Sequence, residues 1–151
     1  MHKSSLIAHH VKDAEALIRR HEGVRLKPYH DSVGKLTIGV GRNLTDRGLS
    51  ADEVDILFQN DMAMASDILD IWCEEWRTFS PPCSAALLSM AFNLGGPRLT
   101  GFQRMRRALI RRNFTEAAKE ALDSKWAEQV PHRATEIAKL IQQDGSFVPD
   151  W

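Results

Sequence analysis

Residues 22–41 read Glu22-Gly23-Val24-Arg25-Leu26-Lys27-Pro28-Tyr29-His30-Asp31-Ser32-Val33-Gly34-Lys35-Leu36-Thr37-Ile38-Gly39-Val40-Gly41. A carboxylate at Glu22 is followed by a second at Asp31 and a hydroxyl at Thr37. Two carboxylates and a hydroxyl at the mouth of a small strand region are the parts needed to hydrolyse a glycosidic bond. One carboxylic acid protonates the leaving oxygen, and the other group orients or activates a water. Asp31-Ser32-Val33-Gly34 reads as a turn, and from Lys35 to Gly41 the chain alternates with a period of two. Leu36, Ile38 and Val40 then share one face of a strand, while Thr37 lies on the other beside Gly39 and Gly41. Glycines there leave room for close approach of a ligand. Pro28 has no N–H to give to a sheet ladder, so its segment reads as an edge strand.

Upstream, Val11, Ala14, Leu17 and Ile18 recur at helical spacing, which predicts a helix from about residue 5 to Glu22, with Gly23 as its stop. Downstream, Ser50-Ala51-Asp52-Glu53 has the form of a capping box opening a long helix. Its apolar stripe is Val54, Leu57, Phe58, Met62, Ala65, Ile68, Leu69 and Trp72. Ser80-Pro81 opens a further helix that closes at Gly95-Gly96. Thr100-Gly101-Phe102-Gln103 reads as another capping box, Thr115 as a cap, and Pro131 as the start of a last helix. The expected class is α+β and mainly helical: one domain over 1–151, with a small N-terminal lobe at about 13–50, a connecting helix at about 50–72 and a helical lobe at about 80–148.

Composition narrows the function classes. With 43% apolar residues, the 151-residue chain has enough apolar material for one core. No uncharged run is long enough to span a bilayer. The start, Met1-His2-Lys3-Ser4-Ser5-Leu6-Ile7-Ala8, lacks the continuous apolar region of a signal peptide. The expectation is a protein that begins in the cytoplasm and whose export would need help from another protein. Cys73 and Cys83 read as free thiols of a reducing compartment. Neither they nor His21, His30 and His132 have the spacing of a metal site, so no metal and no cofactor are expected. Net charge is zero but uneven: residues 1–75 carry 9 basic and 13 acidic side chains, residues 76–151 carry 11 and 7. Within 46–75 one basic residue meets nine acids, whereas 97–112 holds six arginines and no acid. Such a run is either a solvated helix face or a patch for an anionic polymer or envelope surface. A nucleic-acid binder fits poorly with zero net charge and an acidic N-terminal half.

With these elements in place, the chain resembles the phage-type lysozymes. The matching residues are Glu22, Asp31 and Thr37, with Thr37-Ile38-Gly39-Val40-Gly41 as that family's T-x-G-x-G signature. The C-terminal half matches in the same order: Phe92-Asn93-Leu94-Gly95, Thr100-Gly101-Phe102, Ala117-Ala118, Ser124-Lys125-Trp126 and Gln129-Val130-Pro131-His132-Arg133-Ala134. The resemblance implies a two-lobed fold with a cleft between the lobes. It implies an endolysin-type muramidase cleaving the β-1,4 bond between N-acetylmuramic acid and N-acetylglucosamine in peptidoglycan, for host lysis. By that match Glu22 is the general acid, and Asp31 and Thr37 place or activate the water. Phe92 and Asn93 match the cleft segment of the helical lobe, and Arg133 matches an arginine that pairs with the glutamate. Peptidoglycan is the implied partner, with dependence on a holin, a monomeric state, no nucleic acid and no stable membrane insertion. Arg42 departs from the family pattern, standing where many members have histidine, and a different local ion pair is expected there. Taken singly, each carboxylate would be an ordinary surface group, and Trp72, Phe102 and Trp126 read as packing rather than sugar platforms. A silent lysozyme-fold module that grips glycan or a partner is the alternative, and retention of all three catalytic candidates speaks against it.

Overall fold

The computed structural model describes residues 3–146. Helix α1 (Lys3–Glu22) ends where Gly23 takes φ +73° and its N–H returns to the Arg19 carbonyl at 2.8 Å. A three-stranded antiparallel sheet follows: β1 (Arg25–His30), β2 (Leu36–Gly39) and β3 (Arg42–Asn43), in the order β1-β2-β3. Strand β1 is an edge, and its ladder is irregular between Arg25 and Tyr29, the interval that contains Pro28. Thr37 pairs with Tyr29 on one side and Asn43 on the other, at the centre of the sheet. Strand β2 stops at Gly39, two residues short of the alternation in the sequence, because the chain turns through Val40-Gly41 to form β3. The alternation also buries a different face from the one the apolar residues suggest: Thr37 is 4% exposed, whereas Leu36 is 37% exposed.

Helix α2 (Ala51–Trp72) opens with the reciprocal capping box: the Glu53 N–H donates to Ser50 Oγ and the Ser50 N–H to Glu53 Oε2, both at 3.3 Å. The chain divides into two compact units within this helix, after Asp55. The buried residues of α2 are Ala65, Leu69 and Trp72, so only the second half of its apolar stripe joins a core.

The second unit is helical. A 3-10 turn (Glu74–Thr78) leads to α3 (Pro81–Thr100), where Ser80 Oγ accepts from the Cys83 N–H. This helix breaks at Gly95 (φ +74°, ψ 170°) and resumes to Thr100, beyond the stop predicted at Gly95-Gly96. Helices α4 (Gln103–Ile110), α5 (Phe114–Leu122), α6 (Lys125–Gln129) and α7 (Pro131–Gln142) follow, and a second 3-10 turn (Gln143–Ser146) ends the described residues. Two caps differ from the sequence reading. Helix α4 is preceded by Phe102, and Gln103 Nε2 donates to the Thr100 carbonyl, while Thr100 Oγ1 turns back to the Gly96 carbonyl. Helix α5 is capped by Asn113, whose Oδ1 accepts from the Glu116 N–H, because its first turn starts two residues ahead of Thr115. Leu69, Leu87, Met90, Leu99, Met105, Leu109 and Ile141 are the largest apolar side chains with essentially no exposure. Trp72 and Trp126 are buried as read, and Phe102 packs edge-on against Trp126 at 6.3 Å. Cys73 and Cys83 are free and buried, and burial pushes their thiols up to about 11 and about 12.

Candidate active site

In the N-terminal unit the three catalytic candidates arise from three local devices. Glu22 is the last residue of α1, so the helix stop at Gly23 fixes where its side chain starts. Asp31 closes the turn after β1. Its Oδ1 accepts from the Val33 N–H at 3.0 Å and the Lys35 N–H at 2.8 Å, and its own N–H donates to the Lys35 carbonyl at 2.9 Å. An aspartate bonding backbone amides two and four residues on is an Asx-type turn. It holds one carboxylate oxygen and leaves Oδ2 without a partner among the described residues. Thr37 occupies the central strand and donates from Oγ1 to the Lys35 carbonyl at 3.0 Å, so its oxygen lone pairs remain available as acceptors. Asp31 and Thr37 therefore converge on Lys35, one through its N–H and the other through its carbonyl.

Glu22 joins this group through Gly41. A Cβ placed on Gly41 would lie 2.9 Å from Glu22 Oε2 and 3.0 Å from its Cδ, and Gly41 has φ +68°. Only glycine satisfies both the positive φ and the close carboxylate. The second glycine of Thr37-Ile38-Gly39-Val40-Gly41 thus forms the wall against which the Glu22 carboxylate rests. By contrast a Cβ on Gly39, at φ +69°, would meet nothing within 4 Å.

Arg42, next along, forms a two-pronged ion pair with Glu53, Nη2 to Oε1 at 2.7 Å and Nη1 to Oε2. The guanidinium hydrogen bonds hold the Glu53 carboxyl down at about 2. This is the different local ion pair expected from the departure at Arg42. It also ties the β3 strand to the capping box of α2, since Glu53 Oε2 is the acceptor for Ser50.

In the C-terminal unit, Phe92, Asn93 and Arg133 line one groove of about 540 Å³ with Phe58, Met62, Ala85, Leu88 and Ser89. Phe58 and Phe92 form a tilted ring pair at 5.9 Å. Asn93 Oδ1 accepts from Trp126 Nε1 at 2.7 Å, which fixes the amide and leaves its NH2 side for another partner. The sequence reading missed Phe58 and Met62 as groove residues and Trp126 as the anchor of Asn93. The α2 stripe that contains Phe58 and Met62 looks from sequence like core throughout. Among the described residues no group of three His, Cys, Asp or Glu side chains is placed to hold a metal ion.

The phage lysozyme family profile matches residues 19–142, and the chain belongs to that family. It is 29% identical to the pre-baseplate central spike protein of Enterobacteria phage T4, over 83% of this chain but only 27% of the spike protein. It is 21% and 20% identical to "probable T4-type lysozyme 1" and "probable T4-type lysozyme 2" of Dictyostelium discoideum, over 87% of this chain and 95% of each relative. Family membership carries a lysozyme-like, glycoside-hydrolase function and implies peptidoglycan as substrate.

Proposed function

We propose that the chain is a muramidase that hydrolyses the β-1,4 bond between N-acetylmuramic acid and N-acetylglucosamine, serving as an endolysin. The observation that carries the reading is the seating of Glu22 against Gly41, in the unit that also fixes Asp31 and Thr37 around Lys35. Glu22 donates its proton to the glycosidic oxygen as the bond to the leaving sugar breaks. Asp31 Oδ2, free of the amides that hold Oδ1, accepts a proton from the attacking water, and Thr37 Oγ1 accepts a second hydrogen bond that aims it. Phe92 offers an apolar face to the glycan, and the Asn93 amide and Arg133 guanidinium offer donors to its hydroxyl and acetamido oxygens. Because the attacking group is water, the mechanism inverts the anomeric centre, which requires the Glu22 and Asp31 carboxyls to lie roughly 6.5–9.5 Å apart rather than about 5 Å. In this role the enzyme waits inside the host until a separate pore-forming protein opens the membrane.

The test is digestion of purified peptidoglycan with product analysis by mass spectrometry. Hydrolysis yields muropeptides with a reducing end. An anhydro sugar would mark a transglycosylase instead and overturn the proposed water chemistry. Glu22→Gln should lower the rate roughly 10²–10⁴-fold with thermal unfolding unchanged. A folded variant with the wild-type rate would reject Glu22 as the acid. The likeness to part of a spike protein favours a second reading, a lysozyme domain carried in a phage particle. Finding the chain in purified virions rather than free in lysates would select it.

A further inference from the structure

Of the six arginines between residues 97 and 112, three are engaged within the C-terminal unit. Arg106 donates from Nε to the Trp72 carbonyl. Arg112 donates from Nη2 to Thr78 Oγ1 at 2.7 Å and lies over the Phe79 ring at 5.3 Å. Arg98 donates to Gln129 Oε1 at 3.0 Å. The other three, Arg104, Arg107 and Arg111, are exposed, and among the described residues their guanidinium groups have no hydrogen-bond, ion-pair or ring partner. They fall at i, i+3 and i+7 along α4 and its C-terminal cap, on the side of the helix away from the buried Met105 and Leu109. That spacing puts them in one row roughly 10 Å long. Helix α4 contains no acidic residue, so like charges one turn apart repel along the row with no acid on the helix itself to offset them.

A fold gains nothing internally from such a row, and an external anion would relieve it. We propose that Arg104, Arg107 and Arg111 form a peripheral docking ridge for the phosphate headgroups of an anionic lipid surface. Guanidinium forks match phosphate oxygens two at a time. A straight row of three suits an extended array of phosphates better than a single small anion. Arg104 and Arg107 also line a concavity of about 660 Å³ that adds Lys125 and Arg98. Its two carboxylates, Glu120 and Asp123, make no ion pair with these cations among the described residues. Duplex DNA offers phosphates too, but zero net charge leaves the chain little long-range attraction to a polyanion, whereas a lipid surface can be met by the local row alone. The ridge holds the protein at a membrane surface without insertion, since no helix among the described residues is long and apolar enough to cross one. This inference does not rest on the hydrolytic reading, because binding is measured with no glycan present.

Sedimentation with vesicles of phosphatidylglycerol and phosphatidylcholine in equal parts, compared with pure phosphatidylcholine, tests it. The full chain should partition onto the anionic vesicles only and be released as salt is raised. Each basic side chain near an anionic surface strengthens partitioning about fivefold, so Arg104→Gln, Arg107→Gln and Arg111→Gln together should weaken it roughly 100-fold. The triple lysine variant, which keeps the charge, should retain most of the binding. Peptidoglycan digestion by both variants should match wild type, which also verifies that they fold. Equal partitioning of the glutamine variant and wild type, no preference for anionic vesicles, or tighter binding to duplex DNA than to vesicles would each overturn the proposal.

Discussion

The two units of this chain are held together by different forces. Every buried apolar side chain among the described residues lies between Ala65 and Ile141, whereas between residues 9 and 55 the one buried side chain is the polar Thr37. The N-terminal unit is organised by directional interactions: the Asx turn at Asp31, the three-strand ladder, the capping box and the Arg42–Glu53 pair. The C-terminal unit is organised by burial. Hydrophobic burial contributes large, non-directional stability, while hydrogen bonds contribute little net energy and fix geometry. Reactive groups need fixed geometry, and the proposed acid and water-placing groups all sit in the unit built that way.

The comparison breaks most visibly in the core. Leu87→Ala empties a fully buried position and should cost about 2–5 kcal/mol in urea unfolding. The digestion rate of the molecules that remain folded should stay near wild type. A large rate loss at full folding would show that the apolar unit sets the catalytic geometry too.

A smaller effect separates strain from displacement. Gly41→Ala and Gly39→Ala both force alanine to φ near +69°, a backbone cost of roughly 1–2 kcal/mol each. Only at Gly41 does the new methyl also meet the Glu22 carboxylate. Similar stability losses are expected, with a rate loss well beyond that of Gly39→Ala confined to Gly41→Ala. Equal rates in the two variants would mean that the contact with Glu22 does not matter.

The smallest effect is electrostatic. Glu53 falls from an ordinary value of 4.5 to about 2 on folding, chiefly through the Arg42 hydrogen bonds. A depressed carboxyl stabilises the fold above the unfolded value and loses that contribution as pH falls through the folded one. The stability gap between wild type and Glu53→Gln, read from urea midpoints, should therefore be full above pH 4.5 and close towards pH 2. Added salt should narrow it, since the pair is accessible to solvent. A gap independent of pH would assign Glu53 a packing role.

The sequence made the elements legible where a residue has a single structural use. Gly23 could only stop a helix, Pro28 could only sit at an edge, and Ser50 with Glu53 could only cap. It misled where one residue type serves two purposes. Thr100 and Gln103 have the form of a capping box, yet both side chains bond backbone carbonyls of α3 instead. Thr115 has the composition of a cap, but Asn113 two residues earlier does the capping. For the candidate site, the residues proposed to carry the chemistry could be picked out by their spacing together with the family resemblance, and the groups that support them could not. The contact between Gly41 and Glu22 joins residues with no periodic relation, and the bond from Trp126 to Asn93 spans 33 positions. The apolar stripe of α2 gave no sign that Phe58 and Met62 would line a groove, because periodicity reports a helix face and not what covers it.

Asp144, 8% exposed near the end of the described chain, accepts the Ser80 N–H at 3.1 Å, across 64 positions, at the residue that caps α3. In a ribosome's terms, helix α3 is made long before the side chain that secures its leading end. At about 5–20 residues per second, roughly 3–13 s of synthesis separate the two. During that interval Leu87 and Met90, destined for the core, have no finished core to enter. The nascent chain therefore keeps these core residues uncovered until Asp144 has been made, and that is the stage at which chaperone supply governs its yield.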